Sequence, residues 1–232
     1  MPNIKKEVLS MITAHSGCDQ TQDNSIDFIK YALSLDADVF EVDIRKSING
    51  SLILSHNETT EESVYLADAF EMLKQHPEKK INCDMKEYDL EDDVVLLAEQ
   101  YGVDDQLIFT GSVNRELFKK GNVKYPKVAW YANIETFLPD FGEWLRTGVS
   151  DEQKTERLEQ LLLMMKDYEA AGLNWNFSDA ERVWQKARQL GIGISVYTVN
   201  DGEQQKLWLS RNAENITSRN ISELISNRKA MA

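Results

Sequence analysis

Six side chains in the N-terminal part of this 232-residue chain are of the types that do proton and phosphate chemistry: His15, Glu41-x-Asp43, His56 and Asp84-x-Lys86. Each group lies at or near the end of an apolar run. Three carboxylates offer only oxygen donors, which suit one hard divalent cation, Mg²⁺ or Ca²⁺. Histidine, with an ordinary pKa of about 6.5, moves protons at neutral pH. One histidine could deprotonate a nucleophile while the other protonates a leaving group, each contributing roughly 10²–10⁴-fold. A cation there would hold and polarise phosphate oxygens. The third histidine, His76, precedes Pro77 in a polar stretch and is expected at the surface.

Such a set works only if the backbone brings it together. Strand-like runs occur at Val8–Ala14, Val39–Ile44, Lys80–Met85, Gln106–Thr110, Lys127–Ala132, Gly172–Asn176, Ile192–Val199 and Glu214–Thr217. Helical spacing appears in Ser25–Leu35 and Leu90–Tyr101. Ser150 with Gln153 reads as a capping box opening a helix that runs through Leu158–Tyr168. Ser178 with Glu181, and Asn200 with Glu203, read as two further helix starts. The stripe from Leu161 to Met165 reads as core. Trp130, Trp144 and Trp175 read as packing residues.

Alternating strands and helices imply a parallel sheet with helical crossovers. Eight such strands predict a single (β/α)8 TIM barrel spanning 1–232. No Gly-x-Gly-x-x-Gly follows a strand, so a dinucleotide fold has no support. Asn49-Gly50 lies between Val39–Arg45 and Leu52–Ser55, a hairpin signal. It predicts a small β-hairpin excursion after strand 2 that delivers His56 to the rim. Active sites of these barrels lie at the C-terminal strand ends. Side chains alternate along a strand, so Glu41, Asp43 and Arg45 share one face, as do Asp84 and Lys86.

Composition narrows the partners. The formal charge is −13 with 42% hydrophobic residues, and the pI is near 4.7. An acidic surface argues against nucleic acid or an anionic membrane as the main partner. It still admits a small anionic substrate at a cation site. Met1–Glu7 is polar and basic, and Val8–Ala14 is too short for a signal h-region. No run reaches the ~20 apolar residues of a membrane helix. A cytoplasmic location without membrane insertion is therefore expected, and Cys18 and Cys83 fit a reduced protein.

These motifs, in this order, resemble those of the glycerophosphodiester phosphodiesterase family, a metal-dependent barrel. The family's His-Arg-Gly, Pro-Glu-Asn-Thr, Glu-x-Asp, hairpin, His-Asp and Glu-x-Lys stand here as His15-Ser16-Gly17, Gln22-Asp23-Asn24-Ser25, Glu41-Val42-Asp43, Ile48-Asn49-Gly50, His56-Asn57 and Asp84-Met85-Lys86. Tyr197-Thr198-Val199-Asn200 resembles Trp-Thr-Val-Asn, and Ile216-Thr217-Ser218 resembles Ile-Thr-Asp. The resemblance implies that His15 and His56 are acid and base, that Glu41, Asp43 and Asp84 bind the cation, that Lys86 contacts the phosphate and that Tyr197 lines the pocket. It further implies attack by the substrate's glycerol 2-hydroxyl, then opening of a cyclic phosphate by water to give glycerol 3-phosphate.

The departures bear on substrate more than on chemistry. Ser16 replaces the phosphate-gripping arginine, and Arg45 is the nearest candidate to compensate. Asp23 and Asp84 each replace a glutamate, and Asn57 replaces an aspartate beside His56. The segment between His56 and Lys80 is short. The leading expectation is hydrolysis of glycerophosphodiesters. A different head group on the same chemistry, or a non-catalytic phosphate- or metal-binding barrel, are the alternatives.

Overall fold

The computed structural model describes residues 10–58 and 63–231. Residues 1–9, with the Val8 start expected for the first strand, lie outside the described residues. Alternation dominates the strands. In β2 (Val39–Lys46) the outward residues Phe40, Val42 and Ile44 are buried against helices. Glu41 and Asp43 on the other face point into the sheet's interior. The same period holds in β1 (Met11–Ala14), β4 (Lys80–Met85), β5 (Leu107–Gly111), β6 (Ala129–Asn133), β7 (Gly172–Asn176), β8 (Gly193–Tyr197) and β9 (Asn215–Ser218).

These strands are parallel and close on themselves. β1 pairs with β2 through Thr13 and Val39, and with β9 through Met11 and Asn215. This is the expected (β/α)8 barrel. The exception is β3 (Leu52–Leu54), which runs antiparallel to β2 with Ile44 opposite Leu54. Its turn closes where Asn49-Gly50 predicts: Gly50 has φ +86°, and the Ser47 amide donates to the Ser51 carbonyl at 2.8 Å.

Helices α1 (Ile26–Ser34), α2 (Leu66–Leu73), α3 (Glu91–Tyr101), α4 (Ile134–Phe137), α5 (Phe141–Leu145), α6 (Asp151–Met164), α7 (Phe177–Gln189), α8 (Gly202–Ser210) and α9 (Ile221–Met231) surround the barrel. Ser25 caps α1, accepting from the Phe28 amide at 3.1 Å. Ser150 and Gln153 form the expected capping box of α6. Two helix starts differ from expectation. Asn176, not Ser178, caps α7, accepting from the Ser178 amide. Asp201, not Asn200, caps α8, accepting from the Glu203 and Gln204 amides. Asn200 instead accepts from the Arg219 amide at 2.8 Å, which fixes the end of β9. The apolar stripe also splits. Leu161, Leu162 and Met165 are buried, whereas Leu163 and Met164 are exposed, because five consecutive helical residues cover every face.

The barrel interior has two levels. At the bottom, Val39, Ile108 and Tyr131 form a small apolar plug with Met11 and Ala129. Barrels of this kind ordinarily continue in branched apolar layers. Here the next level is polar: Thr13, Asn82, Thr110, Asn174, Ser195, Asn215 and Thr217 face inward. The main apolar core lies outside the sheet, under the helices, and includes Trp130 and Trp175. Trp144 is only partly buried, with Arg157 over its ring at 4.6 Å. No helix among the described residues is long and apolar enough to cross a membrane.

Candidate active site

Register decides which side chains meet. Asp43 lies opposite Asp84, and Asp84 opposite Thr110, across β2, β4 and β5. One carboxylate oxygen each from Glu41, Asp43 and Asp84 falls within 4.8 Å of the others. Glu41 and Asp43 are each only 4% exposed, so their charge needs partners. The Lys86 ammonium sits between two of them, 2.7 Å from Asp43 Oδ1 and 2.5 Å from Asp84 Oδ2. The cluster thus already seats a positive charge, and its all-oxygen donor set fits a hard divalent cation. Burial works against the lysine's charge, but Asp84 and Asp43 outweigh it and hold its pKa well above the usual range.

A short relay from the first loop positions these carboxylates. The Ser16 amide donates to Glu41 Oε2 at 3.0 Å, and the Ser16 hydroxyl accepts from the Asn24 amide at 2.6 Å. Asn24 Nδ2 donates to Asp43 Oδ2 at 2.7 Å, and its Oδ1 accepts from the Asp43 amide at 3.0 Å. Ser16 is therefore a buried connector and does not reach into the opening. Gln22-Asp23-Asn24-Ser25 is legible as a motif, yet its spacing does not reveal that Asn24 orients Asp43.

His15 follows β1. Its Nδ1 lies 2.9 Å from the Ser16 carbonyl. A carbonyl can only accept, so Nδ1 carries the proton and Nε2 is left with its lone pair. Glu41 Oε2 is 3.7 Å from the same Nδ1. His56 is exposed beyond β3, its Nδ1 3.2 Å from Asn57 Oδ1. Arg45 donates from Nε to the His56 carbonyl at 3.1 Å and pairs with Glu87 at 3.2 Å. These contacts engage its guanidinium in holding the His56 segment.

A cavity of about 200 Å³ opens between these groups, lined by His15, Glu41, Asn82, Asp84, Lys86, Thr110, Asn133, Asn174, Tyr197 and Thr217. Asp43, Arg45 and His56 are not part of that lining. Burial, then Glu135 and Asp84, push the Tyr197 phenol up to about 12, so it stays neutral and can donate. Thr217 belongs to the Ile216-Thr217-Ser218 motif, but the lining residues Asn82, Thr110, Asn133 and Asn174 carry no motif. Period-two alternation on β4 to β7 is the only signal that points to them.

Gly111 ends β5 with φ +81°, and a Cβ there would meet the Met85 carbonyl at 2.3 Å and Asp84 Oδ1 at 2.4 Å. Gly111→Ala is expected to destabilise the protein by more than about 1 kcal/mol and to weaken divalent-cation binding by displacing Asp84. Thermal melts and calorimetric titration check both effects.

Burial raises the Glu41 carboxyl from 4.5 to about 7; His15 opposes the shift, and Asp43 and Asp84 add to it. A pKa raised on folding stabilises most below the unfolded value and loses that contribution as pH climbs through about 7. Without cation, stability should fall between about pH 4.5 and 7 and level off above that, and Glu41→Gln should flatten that slope. Cation binding near pH 6 should expel a proton, seen as a heat that varies with the buffer's ionisation enthalpy. A heat independent of buffer would contradict this assignment.

No protein-family model matches the chain, and no curated protein matches it by sequence. Solved structures do. A glycerophosphodiester phosphodiesterase from Parabacteroides distasonis superposes with TM-score 0.72 at 14% identity, covering 96% of this chain and 98% of its own. One from Thermotoga maritima gives 0.66 at 17%, covering 94% and 98%. An Oleispira antarctica phosphodiesterase, in complex with the product sn-glycerol-3-phosphate, gives 0.64 at 16%, covering 95% and 97%. The chain shares the whole of their fold.

Proposed function

We propose that this chain is a metal-dependent phosphodiesterase of the glycerophosphodiester phosphodiesterase family, acting on small phosphodiesters. The observation that carries the reading is the convergence of Glu41, Asp43, Asp84, Lys86 and His15 on one barrel mouth, in the motif order of that family. The shared fold supports it.

Glu41, Asp43 and Asp84 hold one divalent cation, Mg²⁺ or Ca²⁺. When bound, it supplies positive charge against the phosphate oxygens and lowers the cost of the charge that develops there. Lys86 has three donors on a flexible stem. It turns from the carboxylates toward a phosphate oxygen and adds a second positive charge. His15 and His56 form the acid–base pair. One accepts the proton of the substrate hydroxyl adjacent to the phosphate as that oxygen bonds to phosphorus. The other donates a proton to the departing alcohol as its bond to phosphorus breaks. The roles then reverse while water opens the cyclic phosphate. The Ser16 carbonyl keeps the His15 proton on Nδ1, so Nε2 does this work. Arg45 acts by positioning His56, and Tyr197 donates to substrate from the far wall. A cytoplasmic location goes with this reading, and two unpaired cysteines suit a reducing compartment.

Incubating the pure protein with glycerophosphocholine, glycerophosphoglycerol and glycerophosphoinositol, with Mg²⁺ or Ca²⁺, tests the reading. Chelator-sensitive release of a phosphomonoester is expected. No release from any of the three with either cation would refute it.

A further inference from the structure

The mouth of the barrel is divided by charge. His15, Glu41, Asp43, Asp84 and Lys86 come from β1, β2 and β4 and the segments that follow them. The cavity lining contributed by β5 to β9 is neutral: Thr110, Asn133, Asn174, Tyr197 and Thr217, with Asn82 between the two halves. All but Tyr197 lie in two separate hydrogen-bonded runs, one from Thr13 round to Asn133 and one joining Thr110 to Asn82. Thr13 Oγ1 donates to Asn215 Oδ1 at 2.7 Å, and Asn215 Nδ2 lies 3.1 Å from Ser195 Oγ and 3.2 Å from Thr217 Oγ1. Ser195 Oγ donates to Asn174 Oδ1 at 2.9 Å, and Asn174 Nδ2 to Asn133 Oδ1 at 2.9 Å. Thr110 Oγ1 lies 3.0 Å from Asn82 Oδ1 and 3.1 Å from Asp84 Oδ1, and shares its one hydrogen between them.

The longer run orients the Asn133, Asn174 and Asn215 amides and leaves a set of polar atoms toward the cavity. Among the described residues, Asn82 Nδ2 and Asn133 Nδ2 have no protein acceptor. Asn174 Nδ2 keeps a second hydrogen, the Thr217 hydroxyl accepts without donating, and the Tyr197 hydroxyl has no protein partner. Asn82 is 7% exposed, so its free amide faces a confined space. Polar groups in such a space cost free energy unless a ligand or ordered water meets them.

We propose that this neutral wall is a subsite for a cyclic polyol, a cyclitol or sugar ring, forming one arm of the phosphodiester; the proposal rests on the phosphodiesterase reading above. The free donors outnumber the two hydroxyls that a glycerol arm brings. A ring polyol carries enough hydroxyls, each able to donate and accept, to engage the wall from Asn82 round to Thr217. The cavity is about 200 Å³, below the roughly 300–1,000 Å³ of drug-sized sites, which fits one such ring. No carboxylate stands on the β5–β9 side of the lining. Glu135 and Asp179 act on the Tyr197 phenol from outside the lining. A quaternary ammonium would find neither a counter-charge nor an aromatic cage against this wall.

The test is calorimetric binding to the whole protein in the presence of Mg²⁺ or Ca²⁺, with inorganic phosphate, glycerol 3-phosphate, choline phosphate and myo-inositol 1-phosphate as probes. The cyclitol phosphate is expected to bind at least about tenfold more tightly than glycerol 3-phosphate, each recovered hydrogen bond contributing up to about tenfold. In Asn133→Leu and Asn174→Leu that ratio should fall toward one. Turnover of glycerophosphoinositol should exceed that of glycerophosphocholine in kcat/KM by a similar factor. Glycerol 3-phosphate or choline phosphate binding as tightly as the cyclitol phosphate to the unmodified protein would overturn the proposal and leave the phosphodiesterase reading intact. Failure of every phosphate ligand to bind would overturn both. The ligand comparison in the unmodified protein decides the matter even if a leucine variant does not fold.

Discussion

His15→Ala is expected to lower kcat/KM by roughly 10²–10⁴-fold, the range for loss of one positioned acid–base group. The geometry makes the expectation specific. With Nδ1 committed to the Ser16 carbonyl at 2.9 Å, the imidazole presents Nε2 as its only basic atom. Alanine removes that atom and leaves the three carboxylates in place. Glu41 loses only the neighbour at 3.7 Å that opposes its upward shift, so divalent-cation affinity should fall less than turnover when His15 is removed. Its partner, His56, is exposed, and Arg45 holds its backbone. Steady-state kinetics across pH, paired with cation titration, measure both effects. Turnover within a few-fold of the unmodified protein would remove His15 from the mechanism.

Asp43→Ala should have the second large effect, on stability and cation binding together. Asp43 is buried, with Lys86 on one oxygen at 2.7 Å and Asn24 on the other at 2.7 Å. Removing it leaves a half-paired ammonium and an amide without its acceptor. Breaking a buried pair from one side costs on the order of 3 kcal/mol. For a chain of this length that corresponds to a fall in Tm of about 6–12 °C. Divalent-cation binding should be lost with it, since one of three charged oxygen donors is gone. Asp43→Asn keeps the shape and should retain more of the stability, but not the cation. A variant that binds the cation like the unmodified protein would show that Asp43 is not a ligand.

Much of this arrangement is legible residue by residue. Lys80–Met85 and Gly172–Asn176 form as strands with the bounds that their apolar patterns give. Asn49-Gly50 turns the chain where that dipeptide predicts. Two helix caps shift by one or two residues because the side chain that caps is the one whose oxygen reaches the free amides. Asp201 does so while Asn200 is drawn off to β9. Ser16 shows a deeper limit. Read in line, it is an arginine lost from a phosphate grip. Folded, it is the link that joins Glu41 to Asn24 and so to Asp43.

The information that can be read along the chain is therefore local and periodic. Alternation along β2 and β4 put Glu41 with Asp43, and Asp84 with Lys86, on the inner face, because that geometry is set within a few residues of backbone. Which side chains meet depends on closure of the barrel. Thr13 reaches Asn215, 202 residues away, because β1 pairs with both β2 and β9. That closure brings the neutral wall of β5 to β9 opposite the carboxylates. It assigns Lys86 to two aspartates and Arg45 to Glu87 and His56. Closure also supplies the burial that lifts Glu41, because desolvation belongs to the enclosed site and to no single residue.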